Sequence, residues 1–122
     1  LRTRRQRQMC IRDRPIAEQQ LIQGMLADSQ TETYAAKCMT LETARKRDSG
    51  GNVSTESSAC KLFATEMVGR VADRAVQIHG GAGYMSEYAV ERVYRDVRLF
   101  RLYEGTSQIQ RMIISRELER EL

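Results

Sequence analysis

Two short segments hold residues whose types and spacing can do chemistry. The first, Leu102-Tyr103-Glu104-Gly105-Thr106-Ser107-Gln108-Ile109-Gln110, sets a carboxylate beside a glycine just ahead of residues that open a helix. A turn there can present the carboxylate into a cleft, and apolar neighbours would strengthen it as a general base. The amides that start the helix, with the Thr106 hydroxyl, can bind a phosphate or a polarised carbonyl oxygen. The same residues also make an ordinary capping arrangement, in which the helix dipole favours Glu104. The second segment, Gln77-Ile78-His79-Gly80-Gly81-Ala82-Gly83-Tyr84, places three glycines in four residues. Such backbone can approach a ligand closely, its amides free to meet an anion or a flat ring. It can equally be a glycine helix cap followed by a tight turn. A dinucleotide-binding fingerprint is excluded, because the segment follows a helix and lacks a preceding strand. Between the two segments, Arg92, Arg95, Asp96, Arg98 and Arg101 read as a solvated face with local Arg–carboxylate pairs, or as an anchoring network at an interface.

The elements that must position these segments follow from periodicity. Ile22, Met25 and Leu26 fall at helical spacing, and Tyr34, Cys38 and Leu41 continue an apolar stripe. This predicts one long helix over residues 16–47, ended by the turn cluster Ser49-Gly50-Gly51-Asn52 after a basic last turn. A second long helix is predicted from Ser54 or Thr55 to His79, with Phe63, Met67, Val71 and Ala75 along one face. Ser86 reads as the N-cap of a shorter helix over residues 87–98. Thr106 or Ser107 caps a last helix over residues 108–121, with Ile109, Met112 and Ile113 inward. The expected fold is all-α, an antiparallel up-down bundle of four helices, two long and two shorter.

Composition agrees and narrows the classes of function. The 122 residues suffice for one domain, and 41% are apolar, with 6% aromatic, no Trp and one Pro. The formal charge of +4 is unevenly spread. Residues 1–14 carry six Arg and one Asp, so residues 15–122 are close to neutral. A nucleic-acid surface on the body is therefore excluded, and no apolar run is long enough for a membrane span. Cys10, Cys38 and Cys60 are an odd number without metal-ligand spacing, so no disulfide framework and no metal site is expected. Cys38 and Cys60 read as small core residues in a reducing compartment.

Taken together, Gln77–Tyr84 and Arg95-Asp96 followed by Tyr103-Glu104-Gly105-Thr106-Ser107-Gln108-Ile109-Gln110-Arg111 resemble the paired signatures of the acyl-CoA dehydrogenase family. The resemblance runs over about residues 15–118 and matches that family's C-terminal helical domain only. It implies residues 15–122 as that domain, with residues 1–14 a basic arm foreign to the family, disordered or a misjoined translation. It also implies an FAD cofactor and dehydrogenation of an acyl-CoA thioester to a trans-2-enoyl-CoA, as in fatty acid degradation. Glu104 matches the base that removes the α-proton, and its amide is similar to one of the donors to the thioester oxygen. Tyr103 and Gly105 match substrate-lining positions, and Thr106 and Gln108 match flavin contacts. Gln77, Gly80 and Gly81 match the segment that meets the flavin of a neighbouring subunit, with Gln20 a further contact. The resemblance therefore implies a homo-oligomer, a dimer of dimers, with an electron-transferring flavoprotein as acceptor and a cytoplasmic location (the mitochondrial matrix in a eukaryote). Departures from the family pattern are Met9, Arg12 and Asp13, where an Arg and a Phe-Gly pair are usual, Gln19 in place of an aromatic or His, and Ala89 in place of Pro. The rival readings are an acyl-CoA oxidase-like relative on the same scaffold and a non-catalytic helical binding module with a basic arm.

Overall fold

In the computed structural model, which describes residues 15–122 and the backbone of Cys10, Ile11 and Arg14, four α-helices carry the fold. They are α1 (Gln20–Asp48), α2 (Ser54–His79), α3 (Ala89–Val97) and α4 (Ser107–Glu121). This is the expected all-α architecture of two long and two shorter helices. Ahead of them, Cys10–Ile11 (β1) pairs antiparallel with Arg14–Pro15 (β2) over two residues each. The rest of the Arg-rich arm lies outside the described residues.

Local chemistry sets most of the boundaries. α1 stops where Gly50 takes φ +85°. There Gly51 N–H donates to the Lys46 carbonyl at 3.0 Å and Gly50 N–H to Arg47 at 2.9 Å, the paired bonds of a glycine-terminated helix. α2 ends at Gly80, whose φ of 58° and ψ of −142° suit only glycine. α4 begins at Thr106, whose hydroxyl oxygen accepts from the Ile109 N–H at 3.3 Å.

Two starts differ from expectation. The helix expected from residue 16 is a 3-10 turn over Ile16–Glu18, broken from α1 by extended backbone at Gln19. Helical periodicity runs through both pieces and carries no signal for that break. Ser86 does not cap α3: the chain turns once more, with Tyr88 N–H donating to Met85 at 3.1 Å, and the helix begins at Ala89.

The helices assemble on α2, which packs against α1, α3 and α4 in turn. Contacts to α1 run in opposite directions along the two chains: Thr43 with Cys60 (3.2 Å), Thr33 with Met67 (3.9 Å) and Ser29 with Arg74 (3.5 Å). The pair is therefore antiparallel. Its seam on α1 is Ile22, Met25, Ser29, Glu32, Ala36, Met39 and Thr43, alternate steps of three and four, the spacing that keeps one stripe against a partner helix. Leu26, Tyr34, Cys38 and Leu41, expected inward, are exposed instead, Tyr34 by 66%. They form a second apolar face, while small and hydrogen-bonding residues fill the true seam. Ile109 and Met112 are likewise exposed, whereas Ser107 and Gln110 are buried and Ile113 half-buried. The buried apolar residues are Ala36, Met67, Ala72 and Val97. Among the described residues, no helix is long and apolar enough to cross a membrane.

Candidate functional site

The loop between α3 and α4 adopts a conformation that its sequence alone would not favour. Glu104 has φ +53°, the one described non-glycine residue with positive φ, and Gly105 follows at +86°. A left-handed L-residue costs about 1–2 kcal/mol, so it persists only where surrounding groups dictate it. Side chains from two helices do so here. Lys61 on α2 donates from Nζ to the Phe100 carbonyl (2.8 Å) and to the Gly105 carbonyl (2.6 Å). Gln110 on α4, only 7% exposed, donates from Nε2 to the Glu104 carbonyl at 3.2 Å. Ser107 donates from Oγ to the Glu66 carboxylate at 2.6 Å, and Arg101 approaches the other oxygen at 3.3 Å. That hydroxyl and then the guanidinium hold the Glu66 carboxyl below the usual carboxylate range, against the opposing effect of burial.

The outcome is an exposed Glu104 side chain on a backbone pinned at three carbonyls. Around it, Leu99, Leu102, Tyr103, Ile109 and Met112 present exposed apolar surface, and the Phe100 and Tyr103 rings stack with centroids 5.8 Å apart. Thr106 is half-buried and spends one lone pair on its cap, which leaves its hydroxyl proton free to donate. The first amides of α4 have no carbonyl one turn back to bond, and Gln108 beside them is exposed.

The second expected segment lies elsewhere. Lys61 and Glu66, which hold the Glu104 loop, precede His79 on α2 by about 20–27 Å of helix axis. Gln77, Gly80 and Gly81 are exposed at that far end, and a Cβ built on Gly81 would meet nothing within 4 Å. Gly83, by contrast, is buried, and a Cβ there would lie 2.5 Å from the Val76 carbonyl oxygen. Gln20, in the first turn of antiparallel α1, is exposed beyond the Ser29–Arg74 contact, toward the Gly80 end. The structure thus brings Tyr103, Glu104, Gly105, Thr106 and Gln108 together, and sets Gln20, Gln77, Gly80 and Gly81 apart from them.

A cleft between α2 and α3, about 600 Å³, runs up to Glu66 and Arg101 behind the Glu104 loop but is lined by none of the expected site residues. Arg70, Arg74, Arg95, Arg98 and Arg101 line it, and carboxylates answer most of their charges. Glu32 meets Arg70 and Arg74 at 3.1 and 2.8 Å, and Glu91 meets Arg95 at 2.7 Å. Within the charged stretch over residues 92–101, Arg95 is braced by Glu91 and Arg101 by Glu66. Lys61 and Glu66 are residues that sequence reasoning missed, and Gln110 stood in the segment it singled out with no role given to it. For the first two a signal existed: charges flanking Phe63 and Met67 on a packed helix must find partners.

Comparison with known proteins decides the family. The family model for the acyl-CoA dehydrogenase C-terminal domain matches residues 2–119. The chain belongs to the acyl-CoA dehydrogenase family. It is 48% identical over 100 residues to the caffeyl-CoA reductase–Etf complex subunit CarC of Acetobacterium woodii, covering 82% of this chain and 26% of that protein. It is 45% identical over 106 residues to the 3-(aryl)acrylate reductase of Clostridium sporogenes, covering 87% and 28%. The acyl-CoA dehydrogenase of Geobacillus kaustophilus superposes with a TM-score of 0.88 at 36% identity, over 92% of this chain and 30% of that one. The chain thus spans a little over a quarter of the length of these relatives. As an acyl-CoA dehydrogenase C-terminal domain, it belongs to a family of flavoprotein oxidoreductases.

Proposed function

We propose that this domain serves an FAD-dependent enzyme acting on the Cα–Cβ bond of an acyl-CoA thioester, with Glu104 as the α-proton base. The observation that carries this reading is the pinned left-handed Glu104, strain of the kind that folds keep at working residues. The Glu104 carboxylate takes the pro-ton from Cα while the electron pair of that C–H bond becomes the new double bond and a hydride leaves Cβ. FAD, when bound, supplies the two-electron acceptor for that hydride. In the reductive direction named for two relatives, the protonated carboxyl returns the proton to Cα. An α-proton is too weak an acid for a free carboxylate, so the thioester oxygen must be polarised, a role for which the Glu104 amide is suited. Tyr103, Gly105 and the exposed apolar side chains around them offer the acyl chain a wall.

The residues present fit a flavin. Thr106 and Gln108 offer donors beside the free amides of α4, suited to carbonyl oxygens or phosphate. Gln20, Gln77, Gly80 and Gly81 offer a second open, donor-rich surface. The separation of the two sets along α2 supports an arrangement in which they serve flavins of different subunits, and hence a homo-oligomer built as a dimer of dimers. The name of the Acetobacterium woodii relative supports an electron-transferring flavoprotein as redox partner.

The test is Glu104→Gln in the flavin-loaded enzyme that carries this domain. Anaerobic bleaching of the flavin by a panel of short, branched and aryl acyl-CoA thioesters should slow on the order of 10²- to 10⁴-fold, with flavin content unchanged. Bleaching at the unsubstituted rate would remove Glu104 from the role of base.

A further inference from the structure

We propose that Lys61, on a different helix from the loop and 44 residues before Gly105, is the positioning residue that sets Glu104 for proton transfer. This rests on the reading of Glu104 as the base. The Phe100 and Gly105 carbonyls bracket the loop, one at the end of the 3-10 turn over Arg98–Arg101 and the other next to the helix start. Both aim at a single point, and the Lys61 ammonium occupies it at 2.8 and 2.6 Å. Two carbonyl oxygens converging on one spot repel each other unless a donor lies between them. An ammonium meets both with charge-assisted bonds, which are shorter and stronger than neutral ones.

Among the described residues Lys61 forms no ion pair, so its charge is spent on backbone. That use is economical only if the loop shape matters. The bridge closes the chain across residues 100–105 and so limits the rotations open to Glu104, whose own carbonyl Gln110 fixes from the other side. Removing the ammonium frees Glu104 to leave φ +53° for an ordinary backbone well, which moves the carboxylate without changing its chemistry. A misplacement of about 1 Å can slow a reaction on the order of 10²-fold, while remote binding contacts persist.

The experiment uses Lys61→Met and Lys61→Arg beside Glu104→Gln, in the flavin-loaded enzyme, with whichever thioester of the same panel bleaches the unsubstituted enzyme fastest. Lys61→Met should lower kcat on the order of 10- to 100-fold with KM and flavin content little changed. Lys61→Arg, which keeps the charge and several donors, should recover most of that loss. In the 122-residue chain, amide hydrogen exchange over residues 102–106 should quicken in Lys61→Met while α1 is unaffected. Combined with Glu104→Gln, Lys61→Met should cost little more, because there is no base left to position. Unchanged kcat and exchange in Lys61→Met, or no recovery with arginine, overturns the proposal. So does a Lys61→Met enzyme that loses its flavin or fails to fold, since Lys61 would then serve the fold rather than the base. If Glu104→Gln keeps full turnover while Lys61→Met alters only the exchange, the reading of Glu104 fails and Lys61 remains a clamp on the loop.

Discussion

Gly105 is the position where the loop geometry can be tested by a single methyl group. Gly105→Ala asks an L-residue to take φ +86°, at a cost of about 1–2 kcal/mol. The new Cβ would also lie 2.7 Å from Gln110 Nε2, closer than such atoms approach. Gln110 is buried and cannot swing into water, so it must give up its bond to the Glu104 carbonyl. Leaving a buried donor unsatisfied adds about 1–3 kcal/mol. The two effects together come to about 2–5 kcal/mol, a large part of the 5–15 kcal/mol typical of a folded domain. Denaturant titration of the chain, followed by far-ultraviolet circular dichroism, reads this directly. Gly81→Ala is the control, because its Cβ meets nothing and it should stay within about 0.5 kcal/mol of the parent. Equal midpoints for Gly105→Ala and Gly81→Ala would refute the reasoning, since the loop would then have no need of its left-handed glycine.

Two further outcomes follow from contacts elsewhere. Gly83→Ala drives a Cβ to 2.5 Å from the Val76 carbonyl, a backbone atom that cannot rotate away, so it should lose about 1–3 kcal/mol in the same titration. Ser107→Ala removes the largest cause of the lowered Glu66 carboxyl. A carboxyl lowered on folding stabilises the fold above its unfolded value of about 4.3 and loses that contribution as pH falls through the folded value. The stability gap between parent and Ser107→Ala should therefore be full at neutral pH and narrow below about pH 4. A gap that is flat across a pH series would separate Ser107 from the titration of Glu66.

Punctuation was the most legible part of the sequence. The glycine pairs after α1 and α2 and the threonine before α4 mark their boundaries by local chemistry, and the structure uses each of them. The seam of α1 was misread, because hydropathy picks out Tyr34, Cys38 and Leu41, whereas packing depends on which face meets α2. Ser29, Ala36 and Thr43 face it at a spacing that is regular but made of small residues, which an apolar count passes over. In the site, the types and order of residues around Glu104 were plain. The left-handed backbone was not, since nothing in a Glu-Gly pair demands it. It arises from Lys61 and Gln110, and the first of these meets the loop only after α2 and α3 have packed.

α2 has a consequence beyond holding three partners. Because the Glu104 loop is fastened to one stretch of it and the Gly80 turn is its end, α2 is a ruler between two surfaces that otherwise share no contact described above. A helix is a stiff ruler with a coarse scale. One residue inserted between Glu66 and Gln77 would lengthen it by only about 1.5 Å but turn one end against the other by about 100°. The spacing between the two surfaces would barely change, while the direction in which one faces relative to the other would be lost. Substitution along that stretch of α2 should thus be tolerated wherever side chains fit, and changes of length should not.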